Sequence, residues 1–224
     1  TTKYGLHIQT FPHSSNEFTS LALENGSPIR AGNKETILEF RLWNREENVF
    51  GVVFRIFTDQ NKTIDLMYSV ADNDTRFPNL IVDNEIYPLS KELRLGCWID
   101  VALKIDHVTK SITLTYDGEE ISMDGSDILP IHDLRIYFGK CSVIQYDLDN
   151  VASIDLRDIR ISQDGKAIRE WDMRFHQDSI CFDKIGSSPA TIENGRWLID
   201  DHTVWRHIHK QEFKGKPVHQ VSYP

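Results

Sequence analysis

Two carboxylates alternate along one predicted strand late in the chain. Glu170 and Asp172 flank Trp171, and residues two apart in an extended strand point to the same side. A pair of carboxyl groups supplies the acid/base and nucleophile roles of retaining glycoside hydrolysis when the groups lie about 5 Å apart. The spacing therefore places Glu170 and Asp172 on one strand face, and the alternative to a chemical role is a solvated polar strand face.

Two acidic clusters are candidate calcium sites. Asp72 and Asp74 flank an asparagine, and Asp147 and Asp149 stand two residues apart before another asparagine. Hard cations bind several oxygens from closely spaced loop residues, although neither cluster has the spacing of an EF-hand. Asp and Asn also form turns through hydrogen bonds to their own backbone, and that alternative stays open.

One of the five tryptophans is the candidate sugar-stacking residue. Trp43 is out of phase with the apolar Leu42 and in phase with Arg41, so we expect it to face away from the core. Exposed aromatic rings stack on the apolar faces of sugars, and nearby polar groups bind hydroxyls. We predict a ligand-binding site of Trp43, Arg41, Arg55 and Tyr68; the alternative is that Trp43 packs under a loop.

The elements that must position these residues are predicted to be strands. Apolar residues fall at every second position, and no stretch sustains the spacing of a long amphipathic helix. About a dozen strands are too many for one flat sheet, so the sequence predicts an all-β, antiparallel two-sheet β-sandwich. The clearest alternating sets are Leu38, Phe40, Leu42; Val52, Phe54, Ile56; Ile64, Leu66, Tyr68, Val70; Val101, Leu103, Ile105; Ile112, Leu114, Tyr116; and Leu134, Ile136, Phe138.

Turn signals agree with this interpretation. Asp117-Gly118 and Asp164-Gly165 are the residue pairs that tight hairpin turns favour. The apolar phase shifts by one residue around Arg157-Asp158. A β-bulge, or a strand that changes sheets, would accommodate that shift.

Composition excludes several classes of function. The 224 residues include 25 Lys plus Arg against 34 Asp plus Glu, a formal net charge of -9. Such a chain repels phosphate backbones and anionic lipids, so no nucleic-acid or membrane-surface partner is expected. The apolar runs are too short to cross a bilayer, which predicts no membrane insertion. Cys97, Cys141 and Cys181 lack metal-ligand spacing and are expected to be buried, with their disulfide state undetermined.

Four segments together carry a family resemblance. Residues 96–106 (GCWIDVALKID) and 112–118 (ITLTYDG) resemble the paired strands of laminin-G-like jelly rolls, within the concanavalin A-like lectin/glucanase superfamily. Residues 134–139 (LRIYFG) and 154–161 (IDLRDIRI) resemble later strands of the same fold. The resemblance is specific for a fold and weakly specific for a function.

The resemblance implies roles for particular residues. It places Trp98 in the core and Trp43 on the concave face where saccharides lie in such folds. It also suggests a calcium ion at a loop edge. The laminarinase-like hydrolases of this superfamily have a Glu-x-Asp-x-x-Glu strand motif, so the resemblance implies Glu170 and Asp172 as candidate catalytic residues. This chain has Phe175 at the position of the last glutamate, which is the acid/base residue of the motif. That departure disfavours catalysis.

The sequence therefore predicts a non-catalytic glycan-binding domain over residues 1–201, followed by a tail or linker over 202–224. The expected partner is an oligo- or polysaccharide, and the tail would lead to a downstream domain. No cofactor is required, with Ca²⁺ as the candidate ion. The expected location is extracellular, periplasmic or at the cell surface. The alternatives are a glycoside hydrolase that uses Glu170 and Asp172, and a structural or protein-interaction module.

Overall fold

The protein is a two-sheet antiparallel β-sandwich, which confirms the predicted fold class. The structure, a computed structural model, describes residues 4–9, 18–46, 50–70, 76–141, 143, 150–174 and 176–198. Eighteen strands and one 3₁₀ turn lie in these ranges, more strands than the sequence predicted, because short edge strands give little alternation to detect. No helix in the described ranges is long and apolar enough to cross a membrane.

The first sheet has eight strands in the order β11-β10-β9-β4-β13-β1-β18, with β14 also paired to β13. Their bounds are β1 (Gly5–Ile8), β4 (Glu35–Asn44), β9 (Trp98–Asp106), β10 (Ser111–Tyr116), β11 (Glu119–Asp124), β13 (Ile154–Gln163), β14 (Lys166–Trp171) and β18 (Arg196–Leu198). The long strands β9, β4 and β13 occupy its middle, so the residues on their outer side share one face.

The second sheet has ten strands in the order β15-β16-β17-β2-β12-β5-β6-β7-β8, with β3 also paired to β12. Their bounds are β2 (Ser20–Leu23), β3 (Ile29–Arg30), β5 (Gly51–Thr58), β6 (Thr63–Val70), β7 (Arg76–Val82), β8 (Glu85–Pro88), β12 (Asp133–Gly139), β15 (His176–Gln177), β16 (Ile180–Phe182) and β17 (Pro189–Glu193). The 3₁₀ turn spans Glu24–Gly26.

The core lies between the sheets and is built from the alternating residues. In β4 every second residue is buried, including Leu38, Phe40 and Leu42, while the intervening residues are partly exposed. Phe40 meets Phe138 and Phe54 edge to face, with ring centroids 4.9 and 5.9 Å apart. This interlocking fixes the register, because a slip of one residue would bury the charged residues of β4.

The predicted turns and bulge are confirmed. Asp117 and Gly118 have φ values of 47° and 86°, as a type I′ hairpin turn between β10 and β11 requires. Asp164 and Gly165 form the turn between β13 and β14 in the same way, with φ values of 49° and 82°. The β13–β4 register shifts between Arg157 and Arg160, where the apolar phase of the sequence changes.

Several predictions fall outside the described residues. The tail over 202–224 is one of them, so the division at residue 201 stays a prediction.

None of the three cysteines forms a disulfide; Cys141 and Cys181 are buried and Cys97 is partly exposed.

Candidate functional site

The outer side of the eight-stranded sheet, here called the open face, collects the polar residues of its central strands. Since β4 buries alternate residues, Arg41 and Trp43 lie on this face, as their phase predicts. Strand pairing places Trp98 of β9 opposite Trp43 and, two residues along, Asp100 opposite Arg41. Arg157 of β13 lies on the other side of Arg41. The open face is therefore defined by Arg41, Trp43, Trp98, Asp100 and Arg157.

Trp43 and Trp98 form an aromatic pair on this face. Their ring centroids are 5.7 Å apart with an interplanar angle of 71°, an edge-to-face contact, and both residues are partly exposed. The expectation that Trp98 belongs to the core is wrong. In β9 the buried phase contains Ile99 and Val101, so Trp98 shares the outward phase of Asp100.

Arg157 is held between two aromatic rings next to this pair. Its guanidinium carbon lies 3.8 Å from the centroid of the Trp98 ring and 4.4 Å from that of Tyr4. Arg174 lies 4.2 Å from the Tyr4 ring centroid. The ring of Trp98 reaches Arg157 across β4, which lies between their strands. Aromatic rings therefore cover a charged side chain that retains only 9% of its accessible surface.

The hydrogen bonding of Arg157 is incomplete. Its Nε is buried and has no hydrogen-bond partner. The closest carboxylate oxygen paired with it belongs to Asp158, 3.7 Å away, which is too long for a hydrogen bond. Asp158 instead accepts hydrogen bonds from the Tyr4 hydroxyl at 2.8 and 3.0 Å. Burial lowers the pKa of Arg157 from its usual value; Tyr4 and Asp158 oppose that shift, and repulsion from Arg41 and Arg174 adds to it.

A charged depression of about 520 Å³ adjoins the aromatic pair. Its polar walls are formed by Glu39, Arg41, Asp100, Asp158, Arg160 and Glu170. Arg41 pairs with Asp100 at 3.2 Å, and Arg160 lies 3.9 Å from Glu170. Asp100 is exposed over 89% of its side chain, so solvent screens that pair and a ligand can displace it at small cost. The depression can therefore offer both hydrogen-bond donors and acceptors to a polar ligand.

Only one of the two candidate catalytic carboxylates lines this depression. Glu170 faces it from β14. Asp172 follows the end of β14 and is buried; it accepts the backbone N–H of Arg174 at 2.9 Å and lies 3.6 Å from the Lys184 ammonium. The Asp172 carboxylate is thus engaged by a backbone hydrogen bond and an ion pair. The catalytic assignment stays a prediction.

Arg55 and Tyr68 do not lie with Trp43, so the prediction that grouped them is wrong. Arg55 belongs to β5 in the other sheet, where it forms a two-pronged ion pair with Asp65 at 2.8 Å for both contacts. Burial raises the pKa of Asp65, although hydrogen bonding from Arg55 opposes that shift. Every residue of β5 is buried, so phase alone did not reveal which of its sides faces the core.

Tyr68 is fully buried between the sheets. Its hydroxyl is 2.8 Å from that of Tyr116, which also accepts a hydrogen bond from the Asn44 amide at 3.0 Å. Burial raises the pKa of Tyr116 to about 12 and that of Tyr68 well above its ordinary value. This network satisfies two phenols inside the core and leaves Tyr68 no access to a ligand.

The candidate calcium ligands Asp72, Asp74, Asp147 and Asp149 lie outside the described residues. Within the described ranges, no group of three or more His, Cys, Asp or Glu side chains is arranged to hold a metal ion. Calcium binding stays a prediction.

A second depression, of about 380 Å³, is lined in part by His7, Gln9 and Arg45. Asp155, the β13 partner of Trp43, is buried and receives two hydrogen bonds from Arg45, at 2.9 and 3.0 Å. His7 Nδ1 is 2.9 Å from the same carboxylate, and its Nε2 is 2.8 Å from the side-chain oxygen of Gln9. The partners of Asp155 are thus all supplied internally, so this network supports the open face rather than offering a free charge.

Sequence reasoning missed Tyr4, Arg157 and Arg174 as parts of the site. The phase shift at Arg157-Asp158 was the available signal, because bulges often redirect side chains next to functional sites. In the structure Asp158 has a φ of 54°, and both it and Arg157 contact Tyr4 at the start of the chain.

Comparison with known proteins shows the fold. No protein-family model matches the sequence, and no curated protein matches it. A SAP-like pentraxin from Limulus polyphemus, a native heptamer, superposes with a TM-score of 0.57 at 12% identity, covering 88% of this chain and 95% of its own. A Bacteroides ovatus protein with a provisional assignment as carbohydrate-binding gives a TM-score of 0.57 at 11% identity over 88% of this chain and 61% of its own.

Domains LG4-5 of the mouse laminin alpha1 chain give a TM-score of 0.50 at 15% identity, over 84% of this chain and 46% of that one. The chain thus spans less than two thirds of the Bacteroides and laminin chains. Together these likenesses show that the protein has the concanavalin A-like, laminin-G-like jelly-roll fold that residues 96–161 resemble.

Proposed function

We propose that this chain is a glycan-binding domain whose ligand lies on the open face, against Trp43 and Trp98. The observation that carries the proposal is the partly exposed aromatic pair beside a depression walled by charged side chains. Sugars present apolar C–H faces and polar hydroxyls together, and this surface offers a matching combination of rings and hydrogen-bonding groups. The fold that the chain shares with the Bacteroides ovatus protein is consistent with this role.

The test is a glycan-array screen of the whole chain, followed by titration of any hit by calorimetry. We expect Trp43→Ala to weaken binding by about tenfold, since stacking on one ring is worth roughly 1 kcal/mol or more. Phe182→Ala is the matched control, because Phe182 is an exposed aromatic residue of the opposite sheet. A flat array, or equal losses in both variants, would exclude the open face as a glycan site and favour a protein-interaction module.

The calcium prediction is tested in the same titration. Binding is measured with added Ca²⁺ and again with chelator, and the quadruple variant D72N/D74N/D147N/D149N is the matched comparison. Loss of glycan binding with chelator in the native chain alone would assign the ion to those carboxylates. Equal binding in all arms would leave the glycan site independent of calcium.

A glycoside hydrolase is the second candidate, and one observation favours it. Four carboxylates, Glu39, Asp100, Asp158 and Glu170, line the same depression. Incubation of bound oligosaccharides with the protein, followed by mass spectrometry, detects any cleavage. Products that disappear in Glu170→Gln would establish hydrolysis, and intact oligosaccharides would favour the binding domain.

We also infer an extracellular, periplasmic or cell-surface location. Exposed polysaccharides are the ligands that such a surface would meet. Fractionation of the native host, with detection by an antibody raised against this chain, tests the location. Detection of the protein in the cytosolic fraction alone would contradict it.

A further inference from the structure

Arg157 is the most unusual charged group on the open face. Its residue retains 9% of its accessible surface, and its Nε is buried without a hydrogen-bond partner. Burying a guanidinium group without hydrogen-bond acceptors costs free energy, which stacking between aromatic rings offsets only in part. A negatively charged group beside this guanidinium would therefore stabilise its charged form.

The neighbours of Arg157 add positive charge to the same spot. Arg41 is its cross-strand partner, with 40% of its side chain exposed, and Arg174 lies on the Tyr4 ring. Four carboxylates line the adjoining depression, but none forms a hydrogen bond with Arg157. Asp158 lies 3.7 Å from Arg157 and is engaged by the Tyr4 hydroxyl, and Asp100, the partner of Arg41, is almost fully exposed to solvent. The other two are Glu39 and Glu170, and Glu170 lies 3.9 Å from Arg160.

We propose that the ligand of the open face is an acidic glycan, whose carboxylate or O-sulfate group binds the guanidinium groups of Arg41 and Arg157. The proposal rests on the glycan-binding function proposed above and names its ligand class. Arginine presents its donors in a planar fork that matches an oxyanion with two oxygens. The oxyanion meets the accessible edge of Arg157 and the more exposed Arg41, while the sugar ring that carries it packs against Trp43 and Trp98.

Because the chain as a whole is acidic, binding of an acidic polysaccharide would indicate a specific local site. With a formal net charge of -9, the protein repels polyanions in general. Retention of an acidic polysaccharide must therefore come from a local cationic site and not from bulk attraction.

The test compares pairs of polysaccharides that differ only in their charged groups. Polygalacturonate is compared with its methyl ester, and heparin with desulfated heparin, by calorimetry at 150 mM salt. We expect at least one acidic member to bind about tenfold or more tightly than its methyl-esterified or desulfated counterpart. Binding of polygalacturonate alone identifies a carboxylate ligand, and binding of heparin alone with loss on desulfation identifies a sulfate ligand; either supports the proposal.

Variants locate the contact. We expect Arg157→Met and Arg41→Met each to weaken binding of the acidic polymer about tenfold. Arg41→Met keeps the test valid if Arg157→Met fails to fold, because the Arg41 side chain is substantially exposed. Arg135→Met is the control, since that guanidinium also lies over an aromatic ring, 5.5 Å from the Phe57 centroid, but in the other sheet.

Failure of the ligand class is distinguishable from failure of the function. Equal binding within both pairs, polygalacturonate with its methyl ester and heparin with desulfated heparin, would overturn the acidic-glycan inference and leave glycan binding intact. Equal loss in Arg135→Met would also overturn it, because the attraction would then be unspecific. Absence of binding to these polymers and to every sugar of the array would remove the proposed function itself.

Discussion

The contact between Trp98 and Arg157 can be measured by a double-mutant cycle. Trp98→Ala removes the indole ring that lies 3.8 Å from the guanidinium carbon of Arg157 and that meets Trp43 edge to face. A desolvated cation–π contact is worth about 2 kcal/mol, and an aromatic pair about 1 kcal/mol. We therefore expect Trp98→Ala to lower the free energy of unfolding by about 3 kcal/mol, through surface contacts and not through a core cavity.

The double-mutant cycle isolates the contribution of the Trp98–Arg157 contact to the free energy of unfolding. Urea unfolding is followed by circular dichroism for the native chain, Trp98→Ala, Arg157→Met and the double variant. Methionine keeps most of the packing volume while removing the charge and the unsatisfied Nε donor. We expect a coupling energy of about 2 kcal/mol between the two sites. Phe182→Ala combined with Arg157→Met provides the control, since Phe182 belongs to the opposite sheet.

Additivity of the two changes to within about 0.5 kcal/mol would refute this reasoning. The stack would then contribute no net stability, and the partial burial of Arg157 would need another cause. A coupling of the same size in the Phe182 control would be equally damaging, because it would show that Arg157→Met disturbs the whole sandwich.

Three further outcomes follow from local geometry. Asp164 accepts hydrogen bonds from the backbone amides of Asn33, Lys34 and Glu35 at the start of β4, which lower its pKa. A lowered pKa stabilises the fold at pH values above about 4 and loses that effect as the pH falls, so acid titration should destabilise native protein more steeply than Asp164→Asn. Gly139→Ala should cost about 2 kcal/mol or more in urea unfolding, because φ is 74° and its Cβ would lie 2.3 Å from a backbone oxygen; Gly165→Ala, with φ at 82° and open space, should cost less. Burial raises the pKa of the Cys181 thiol to about 11, so thiol labelling at pH 8 should modify the partly exposed Cys97 first and Cys181 only in denaturant.

The sequence was sufficient for the fold class and for the direction of many side chains. The period of two in β4 correctly placed Phe40 inside and Trp43 outside. The same rule places Trp98 outside, since Ile99 and Val101 occupy the inward phase of β9. The family resemblance led to the opposite, wrong expectation, so local periodicity was the better guide at this position.

Local periodicity was also the better guide for Tyr68. It alternates in phase with Ile64 and Leu66, and the structure buries it with them. Its assignment to the ligand site depended on the type of the residue and not on its phase. Arg55 differs, because both sides of β5 are buried and alternation gives no direction there.

The order of the strands, and therefore the composition of the open face, was decided by the tertiary structure alone. Alternation and turn chemistry act over a few residues, so the sequence determined a β-sandwich, its hairpins, its bulge and the outward phase of Trp43. Strand pairing depends instead on contacts between residues that are far apart in the sequence, because the apolar faces of both sheets must be buried together. Only the pairing of β1, β13, β4 and β9 brings Tyr4, Arg157 and Trp98 into one stack.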